Sequence, residues 1–490
     1  MSALTCIGNT MKKILSSIIN TLKKTLSSGD QEKYEKAFDI CTQEAMNGDS
    51  DAQFNLGNVY YNGEGVKQNI IKAVDWFTKA AEQGHSSAQY NLALIYDNGE
   101  GIEQDKIKAI NWYTKAAEQG ISSAQYNLGF MYNNGEGIEQ DKQKAVYWYT
   151  KAAEHDHINA QYNLALMYDE GDGVEQDIQK AIELYTKSAE LGQSDAQYNL
   201  AVIYDEGDGV EQDKQKAIYW YTKAAEQGNP EAQYNLAFKY DEGDGIKQDK
   251  LKAIFWYTKS AEQGYFRAQN NLGFIYGHGE GVEPDNQKSV YWYTKAAEQG
   301  ASEAQFNLAI RYHKGEDVKP DNQKAVYWFT KAAEQGYLNA QFHLALMYYY
   351  GEGIKIDKEK AAFWFIKASE QDYSDAQSIL ALMYFNGDGV EMDKKKAEYW
   401  YTKAAEQGDL TAQHNLAAMY DSGDGVEIDK KKAVYWFKEA AAQGNPYSQY
   451  NLAVMYNEGD GVEQNKSLAK EYFKQSCDLG FELACEELRK

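Results

Sequence analysis

The sequence predicts an all-α fold, a solenoid of stacked antiparallel helix pairs. The first observation is strict periodicity: an alanine recurs every 36 residues from Ala52 to Ala412, without an insertion or deletion, and Ser448 and Ala484 continue the series. The second is that each unit contains two helical hydrophobic patterns separated by glycine. Equal spacing indicates that each unit occupies an equivalent place in a stack, because an insertion would disturb the next interface.

The chain is predicted to contain two parts, a solenoid at residues 34–490 and a basic amphipathic segment at residues 1–33. A half unit begins near Tyr34, about twelve full repeats follow, and another half unit ends the chain. Residues 1–29 contain four lysines and no acid, and their apolar residues share one helical face. We expect this segment to cap the solenoid, to act as a targeting or membrane-surface helix, or to be disordered.

Each full unit is expected to contain a first and a second helix, as at about 231–242 and 249–263. Asn229 followed by Pro230 is typical of a helix start, with Asn229 as the N-cap and the proline in the first helical position. Asp249 is the expected N-cap of the second helix.

All ten tryptophans occupy one column of the second helix. They are Trp76, Trp112, Trp148, Trp220, Trp256, Trp292, Trp328, Trp364, Trp400 and Trp436. A large ring beside small alanines is typical of close helix packing, so we expect this column and the next one, which contains Tyr257, to face the core.

Three glycine columns, represented by Gly63, Gly65 and Gly84, hold 34 of the 40 glycines. The exceptions in these columns are Asp156, Asp317 and Asp372. Asp is one of the few residues that tolerate the left-handed region, so the columns predict turns with positive φ. They lack the preceding strand of a nucleotide-binding loop, and no cofactor is predicted.

Composition excludes several classes of function. The net charge of −24 argues against a nucleic-acid partner, because phosphates would be repelled. No apolar run approaches the roughly 18 residues of a membrane span, so no integral span is expected. Four cysteines in 490 residues favour a reducing compartment, which predicts a cytoplasmic location, with an exported or host-directed protein as the alternative.

The repeat resembles the Sel-one-like repeat (SLR) family, relatives of the tetratricopeptide repeats. One unit shows the motif in full, through Ala124, Asn127, Leu128, Gly129, Tyr132, Gly135, Gly137, Asp141, Lys144, Ala145, Trp148, Tyr149, Lys151, Ala152, Ala153 and Glu154. The resemblance covers residues 34–490. It implies a right-handed α-solenoid, curved into a superhelix with the first helices on the concave side.

The resemblance also implies a function. Family members act as adaptors and scaffolds in endoplasmic reticulum quality control, cell-wall synthesis and contacts between bacteria and host cells. Cys477 and Cys485 match the spacing of the Helicobacter-type cysteine-rich members, in which such pairs are bridged, whereas the reducing compartment expected from composition favours free thiols, so the pairing stays open. The predicted function is therefore a non-enzymatic scaffold that binds a protein or peptide in the concave groove.

Two interpretations remain open for an asparagine column on the first helix. Its members are Asn55, Asn91, Asn127, Asn163, Asn199, Asn235, Asn271, Asn307, Asn415 and Asn451. A ladder of amides can bind the backbone of an extended peptide. Alternatively, each amide forms a structural hydrogen bond to a neighbouring unit.

Departures from the repeat cluster in residues 265–386, called the variant segment from here on. The predicted partner-binding residues there are Asn271, Phe274, His278, Phe306, Asn307, His313, Lys314, Phe342, His343, Tyr349, Tyr350 and Phe385. Aromatic and basic residues replace acids, and such residues concentrate contacts at interfaces. The alternative is sequence drift without function.

Lys239 and Arg311 stand in a column that otherwise holds residues such as Ile95 and Met131. A long basic side chain can cover apolar surface and still reach an acid such as Asp205. The alternative is that both cations bind an acidic partner.

No enzymatic centre is predicted. The seven histidines form no H-x-x-x-H or H-E-x-x-H pattern, so no metal site is expected. Ser467 and Lys470 form an S-x-x-K motif. Weak penicillin binding has been attributed to cysteine-rich relatives, so the alternative function is a weak hydrolase that acts on cell-wall or β-lactam substrates. The accompanying S-D-N and K-T-G signals are missing.

Overall fold

A computed structural model describes residues 28–315 and 319–489, and within these ranges the chain forms helices and no strand. The helices are α1 (Ser28–Met46), α2 (Ser50–Asn62), α3 (Ile70–Glu82), α4 (Ser86–Asn98), α5 (Lys106–Glu118), α6 (Ser122–Asn134), α7 (Lys142–Ala153), α8 (Ile158–Glu170), α9 (Ile178–Glu190), α10 (Ser194–Glu206), α11 (Lys214–Glu226), α12 (Pro230–Glu242), α13 (Lys250–Glu262), α14 (Phe266–His278), α15 (Asn286–Glu298), α16 (Ser302–Lys314), α17 (Asn322–Glu334), α18 (Leu338–Tyr350), α19 (Lys358–Ser369), α20 (Ser374–Asn386), α21 (Lys394–Glu406), α22 (Leu410–Ser422), α23 (Lys430–Ala442), α24 (Pro446–Glu458), α25 (Lys466–Asp478) and α26 (Glu482–Arg489). Even numbers from α2 to α24 are first helices, and odd numbers from α3 to α25 are second helices.

The chain divides into two compact units, and each is described by itself. One comprises Met1–Lys239 and Gly243–Lys247, and the other Tyr240–Glu242 and Gln248–Lys490. Within each unit, a first helix packs against the second helix of its own repeat and against that of the preceding repeat. The predicted all-α stack of helix pairs is confirmed. The helix expected to begin near Tyr34 begins at Ser28, and the amphipathic pattern before it lies outside the described residues.

The predicted helix ends are also confirmed. The Asn229 side chain accepts a hydrogen bond from the Ala232 amide, and Asp249 accepts one from Lys252. The glycine columns have positive φ, as at Gly63 with 70°. Two of the replacing aspartates take the same conformation, with φ of 54° at Asp156 and 59° at Asp372, while Asp317 lies outside the described residues.

The tryptophan column corrects one expectation, because all ten tryptophans are half-buried rather than part of the core. The next column fills the interior instead, and Tyr113, Tyr149 and Tyr185 are completely buried. Adjacent residues on a helix point about 100° apart, so only one of two neighbouring rings can face the repeat centre. The tryptophans pack against the edge of the core, where Trp148 contacts the cluster around Tyr113.

A buried glutamine joins consecutive repeats. The Gln89 Nε2 atom donates to the Ala81 carbonyl at 3.0 Å, and Gln119 Nε2 donates to Gln89 Oε1 at 2.7 Å. At Gln89 the motif therefore ties three helices together and pairs both polar atoms of the buried amide. Sequence analysis used the alanine before this glutamine to mark the repeat but did not predict the role of the glutamine.

The last repeat replaces this hydrogen bond with a covalent one. A disulfide links Cys477 at the end of α25 to Cys485 in α26. These positions correspond to Ala441 and Gln449 one repeat earlier, where Gln449 Nε2 donates to the Ala441 carbonyl at 3.2 Å. The bond that the resemblance implied thus lies at the junction that the glutamine otherwise holds.

Candidate functional site

The end of each first helix is linked to its surroundings by a set of polar contacts. In residues 86–239, called the regular segment, Lys106 begins a second helix and lies 2.6 Å from Asp97, which is in the last turn of the first helix. The same ammonium lies 3.2 Å from Glu136 in the next repeat. We call these three positions the junction triad. Its hydrogen bond to Asp97 raises the pKa of Lys106, and the triad connects successive repeats.

Lys239 extends this arrangement inside the first unit. Its side chain is 7% exposed, and its ammonium lies 2.5 Å from Asp205 and 2.7 Å from Asp244. Burial lowers the pKa of Lys239, but the hydrogen bonds to the two carboxylates outweigh it and the net shift is upward. The predicted contact with Asp205 is confirmed. The alternative of a cation that binds a partner is wrong for Lys239, because intramolecular carboxylates surround it.

Arg311 occupies the equivalent buried position in the variant segment with different neighbours. Its Nη1 atom donates to Asn286 Oδ1 at 3.2 Å. A Cβ atom at Gly277 would lie 2.1 Å from Nη2, so the absence of a side chain there makes room for the guanidinium. Gly277 and Asn286 stand where the regular triad has Asp97 and Lys106. The three substitutions fit one another, and burial also rules out a partner-binding role for Arg311.

The next three repeats carry an imidazole or aromatic ring in place of the Asp97 carboxylate. His313 Nδ1 lies 3.1 Å from Asn322 Oδ1, and its Nε2 lies 3.5 Å from Glu352. Phe385 keeps the junction contact through its ring, because the Lys394 ammonium lies 4.8 Å from the ring centre. These side chains are half-buried. They therefore contribute to repeat packing as well as to the surface.

Tyr349 contributes both its hydroxyl and its ring to the contact between repeats. Its hydroxyl donates to Asp388 Oδ2 at 3.0 Å, and the Lys358 ammonium lies 4.1 Å from its ring centre and also pairs with Asp388. Burial raises the pKa of Tyr349, and the hydrogen bond to Asp388 raises it further. Tyr350 follows it and is 62% exposed.

A cluster of rings lies between α16, α17 and α18. The His343 ring stacks on Phe329 at 5.6 Å and meets Phe306 at 5.4 Å. Phe342 packs 4.9 Å from Tyr373. Burial lowers the pKa of His343, and the positive charges of His313 and Lys314 lower it further. His343 is therefore held neutral within an aromatic cluster.

The asparagine column favours the structural interpretation. Asn163 Nδ2 donates to the Tyr149 hydroxyl at 3.2 Å, and Asn235 Nδ2 donates to the Tyr221 hydroxyl at 3.1 Å. Both tyrosines belong to the second helix of the preceding repeat. Asn307 instead donates to Asn270 at 3.4 Å. Each of these bonds uses one N–H group of the amide for packing between repeats, which favours a structural role for the column.

The twelve predicted partner-binding residues fall into two groups. Phe274, His278, Lys314 and Tyr350 are exposed. The others are half-buried, namely Asn271, Phe306, Asn307, His313, Phe342, His343, Tyr349 and Phe385. Phe274 and His278 stack at 4.0 Å on the surface of α14. Their role in partner binding stays a prediction.

Sequence analysis missed a row of exposed aromatic residues on the odd-numbered helices from α13 to α23. It consists of Phe255, Tyr291, Tyr327, Phe363, Tyr399 and Tyr435, each more than half exposed. Each ring packs edge-on against the tryptophan that follows it, as at Tyr291 and Trp292 with 4.9 Å between centres. The sequence signal that could have revealed this row is the aromatic residue that precedes each of these tryptophans.

Two tests for other kinds of site gave no candidate. Among the described side chains, no three His, Cys, Asp or Glu residues come together in a way that could hold a metal ion. A search of the same residues for a helix long and apolar enough to cross a membrane finds none. Ser467 and Lys470 are both exposed in the first turn of α25.

Comparison with known proteins identifies the repeat. The Sel1 repeat profile matches residues 50–85, 86–121, 122–157, 158–193, 194–229, 230–265, 266–300, 302–337, 338–373, 374–409, 410–445 and 446–481. A protective antigen present in uropathogenic Escherichia coli strains, which displays an SLR fold, is 37% identical, with a TM-score of 0.74 over 92% of this chain and 97% of its own. A Sel1 repeat protein from Oxalobacter formigenes is 34% identical, with a TM-score of 0.51 over 63% of this chain and 90% of its own. A search of curated proteins found no match.

Proposed function

The chain belongs to the Sel1 repeat family, and on that premise we propose that it is a non-enzymatic scaffold that binds a protein or peptide partner. The partner binds the first-helix face of the variant segment. One observation carries this placement. In that segment the acid of the junction triad gives way to Gly277, His313, Tyr349 and Phe385, and the exposed ring of Tyr350 stands where the regular segment has Asn or Glu.

The physical reason is that the first-helix face presents different chemical groups to a partner in the two segments. In the regular segment, a lysine and carboxylates neutralise one another at three of the four junctions, as at Asp97 and Lys106, and Ile178 replaces the lysine at the fourth. These half-buried groups are already paired within the protein, so they offer a partner little unpaired charge. Large rings held in place by neighbouring contacts lose little entropy on binding, and aromatic residues are enriched where interfaces concentrate their energy.

A surface variant tests this placement. Phe274→Val, His278→Glu, Lys314→Glu and Tyr350→Glu together give the residues that Val202 and Glu206 provide at the same positions of the regular segment. Because each new residue already exists at an equivalent position, we expect the fold and the melting temperature to be retained. Affinity capture from the source organism should lose the partner that wild-type protein retains.

A matched control changes the same column in the regular repeats, with Glu170→Gln and Glu206→Gln. These changes also alter the charge of that column, but they leave the variant segment intact. Capture of the same partner by wild type and by this control, and not by the surface variant, supports the proposal. Equal capture by all three proteins contradicts it.

The hydrolase alternative is tested separately. A chromogenic cephalosporin incubated with the pure protein should show no turnover above buffer. Turnover that disappears in Ser467→Ala would replace the scaffold proposal with an enzymatic one. No specific feature of the described residues favours that outcome, because Ser467 and Lys470 lie in solvent at a helix start.

The cysteines give two opposing indications of the protein's location. The low cysteine content predicted the cytoplasm, but the Cys477–Cys485 bond supports the exported alternative, because disulfides persist in oxidising compartments. Denaturing alkylation without reductant, followed by mass spectrometry, distinguishes the two. We expect Cys41 to be alkylated and Cys477 and Cys485 to be protected in protein from source cells. Alkylation of Cys477 and Cys485 would place it in a reducing compartment. Membrane contact by residues 1–33 and the exclusion of nucleic acid stay predictions.

A further inference from the structure

A cavity of about 260 Å³ opens between α20 and α22 in the second unit. Its apolar lining comes from Leu382 and Phe385 on α20 and from Ala418 and Met419 on α22. Phe385 also belongs to the predicted binding residues, so the cavity adjoins the proposed face of the variant segment.

The cavity exists because one column contains a small residue at this place. The equivalents of Ala418 in other repeats are the polar Asn58 and the large apolar residues Leu94, Phe130, Leu166, Val202, Phe238, Phe274, Ile310, Leu346, Leu382 and Val454. Ser422 is likewise smaller than its equivalents Asn386 and Glu458. The repeat therefore leaves open a space into which other repeats project their own apolar side chain.

The size and lining of the cavity define what fits it. An apolar cavity of about 150 Å³ is large enough for a benzene ring, so this one accommodates a substituted ring. The Phe385 ring offers a surface for stacking or edge contact. An aromatic side chain is therefore the complementary occupant on its apolar side.

Polar atoms border the same space. Asn386, Ser422 and Asp424 contribute to the lining, and the Ser422 hydroxyl donates to the Ala418 carbonyl at 2.8 Å. Its oxygen keeps lone pairs for a further donor. The Asp424 side chain is 45% exposed and pairs with Lys394. An occupant with a hydroxyl donor on its ring would satisfy this edge.

Charge sets the surroundings of that occupant. The chain carries a net charge of −24, which attracts cationic partners and repels acidic ones. We propose that this cavity binds the tyrosine side chain of a partner peptide whose neighbouring residues are basic. The inference rests on the proposed scaffold function and specifies the chemistry of its partner.

The test uses the full chain and blocked tripeptides. Lys-Tyr-Lys is titrated into protein with ¹³C-labelled methionine methyl groups, and the Met419 signal is assigned from Met419→Leu. A ligand of this size should bind with a Kd of about 1 mM. Lys-Phe-Lys should bind several-fold more weakly because it lacks the hydroxyl, and Lys-Gly-Lys at least tenfold more weakly.

Ala418→Leu fills the cavity with the residue that the column has in four other repeats. We expect an unchanged melting temperature and at least tenfold weaker binding of Lys-Tyr-Lys. The control Val454→Leu enlarges the same column one repeat later and should bind as wild type does.

Three results would overturn the proposal. The first two are equal binding of Lys-Tyr-Lys by Ala418→Leu and wild type, and equal binding of Lys-Gly-Lys and Lys-Tyr-Lys by wild type. The third is an unchanged Met419 signal at peptide concentrations up to about ten times the expected Kd. The scaffold proposal has its own readout in capture by the surface variant. If the surface variant loses the captured partner but the peptide titration shows no specific binding, only the cavity proposal is contradicted.

Discussion

The regular and variant segments use the same helical frame and differ in what they place at its junctions. In the regular segment, Asp97, Lys106 and Glu136 link successive repeats by charge. In the variant segment, Tyr349 and Phe385 keep the contact to the next lysine through their rings. The comparison shows that a junction can exchange an ion pair for an aromatic contact without altering the 36-residue spacing.

The substitutions that distinguish the variant segment occur in groups of residues that contact one another. Arg311 goes with Gly277 and Asn286, and His343 goes with Phe329 where regular repeats pair asparagine with tyrosine. Because a buried polar group needs its partner, one substitution alone would leave an unsatisfied group or a void. The following predictions test that pairing, beginning with the largest expected effect.

Arg311→Met should destabilise the variant segment by about 2–3 kcal/mol. Methionine is shorter than arginine and cannot fill the space beside Gly277, and Asn286 loses its donor. Hydrogen exchange of the α16 amides measures the local loss. Protection equal to wild type would show that the three residues are not a set.

Lys239→Met is the matched change in the regular segment, and it should cost less, about 1 kcal/mol. Methionine already stands in this column at Met131 and Met167, so it fits, while Asp205 loses a hydrogen bond. Asp244 retains Lys214. Hydrogen exchange of the α12 amides provides the measurement, and a larger loss than for Arg311→Met would reverse the comparison.

Tyr149→Phe should cost about 1 kcal/mol, because Asn163 loses its acceptor. Adding Asn163→His recreates the Phe329–His343 pair of the variant segment and should recover part of the loss. A double-mutant cycle on thermal stability gives the coupling between the two positions. Additive effects would mean that the pair is not a unit.

The smallest effect concerns pH. Burial holds the pKa of His343 below its usual value, whereas an unfolded histidine binds a proton near pH 6.5. As pH falls below that value the unfolded state gains protons first, so stability falls. Between pH 7 and 5 the melting temperature of wild type should fall by about 1–2 °C more than that of His343→Asn. Parallel curves would contradict a neutral buried imidazole.

Much of the frame could be predicted from local chemistry. Caps such as Asn229 and the left-handed turns at Asp156 and Asp372 depend on a few neighbouring residues, and periodicity repeats the same information in each unit. The tryptophan column was predicted wrongly because periodicity places Trp256 and Tyr257 on the same side of the helix, and only packing decides which of the two is enclosed.

The candidate site was less accessible to sequence reasoning because it depends on contacts between repeats. The spacing of 14 residues between Tyr149 and Asn163 recurs along the chain and could have revealed that pair. The cavity beside Ala418 could not be predicted, because its walls come from two repeats and its volume depends on how closely their helices approach.

The most direct test of the central claim is site-specific photo-cross-linking in the source organism. A photoreactive phenylalanine analogue at Tyr350 reports on the variant segment, and the same group at Glu206 reports on the equivalent position of the regular segment. We predict a discrete protein adduct at position 350 that is absent at position 206. Equal adducts at both positions, or an adduct at 206 alone, would contradict the account.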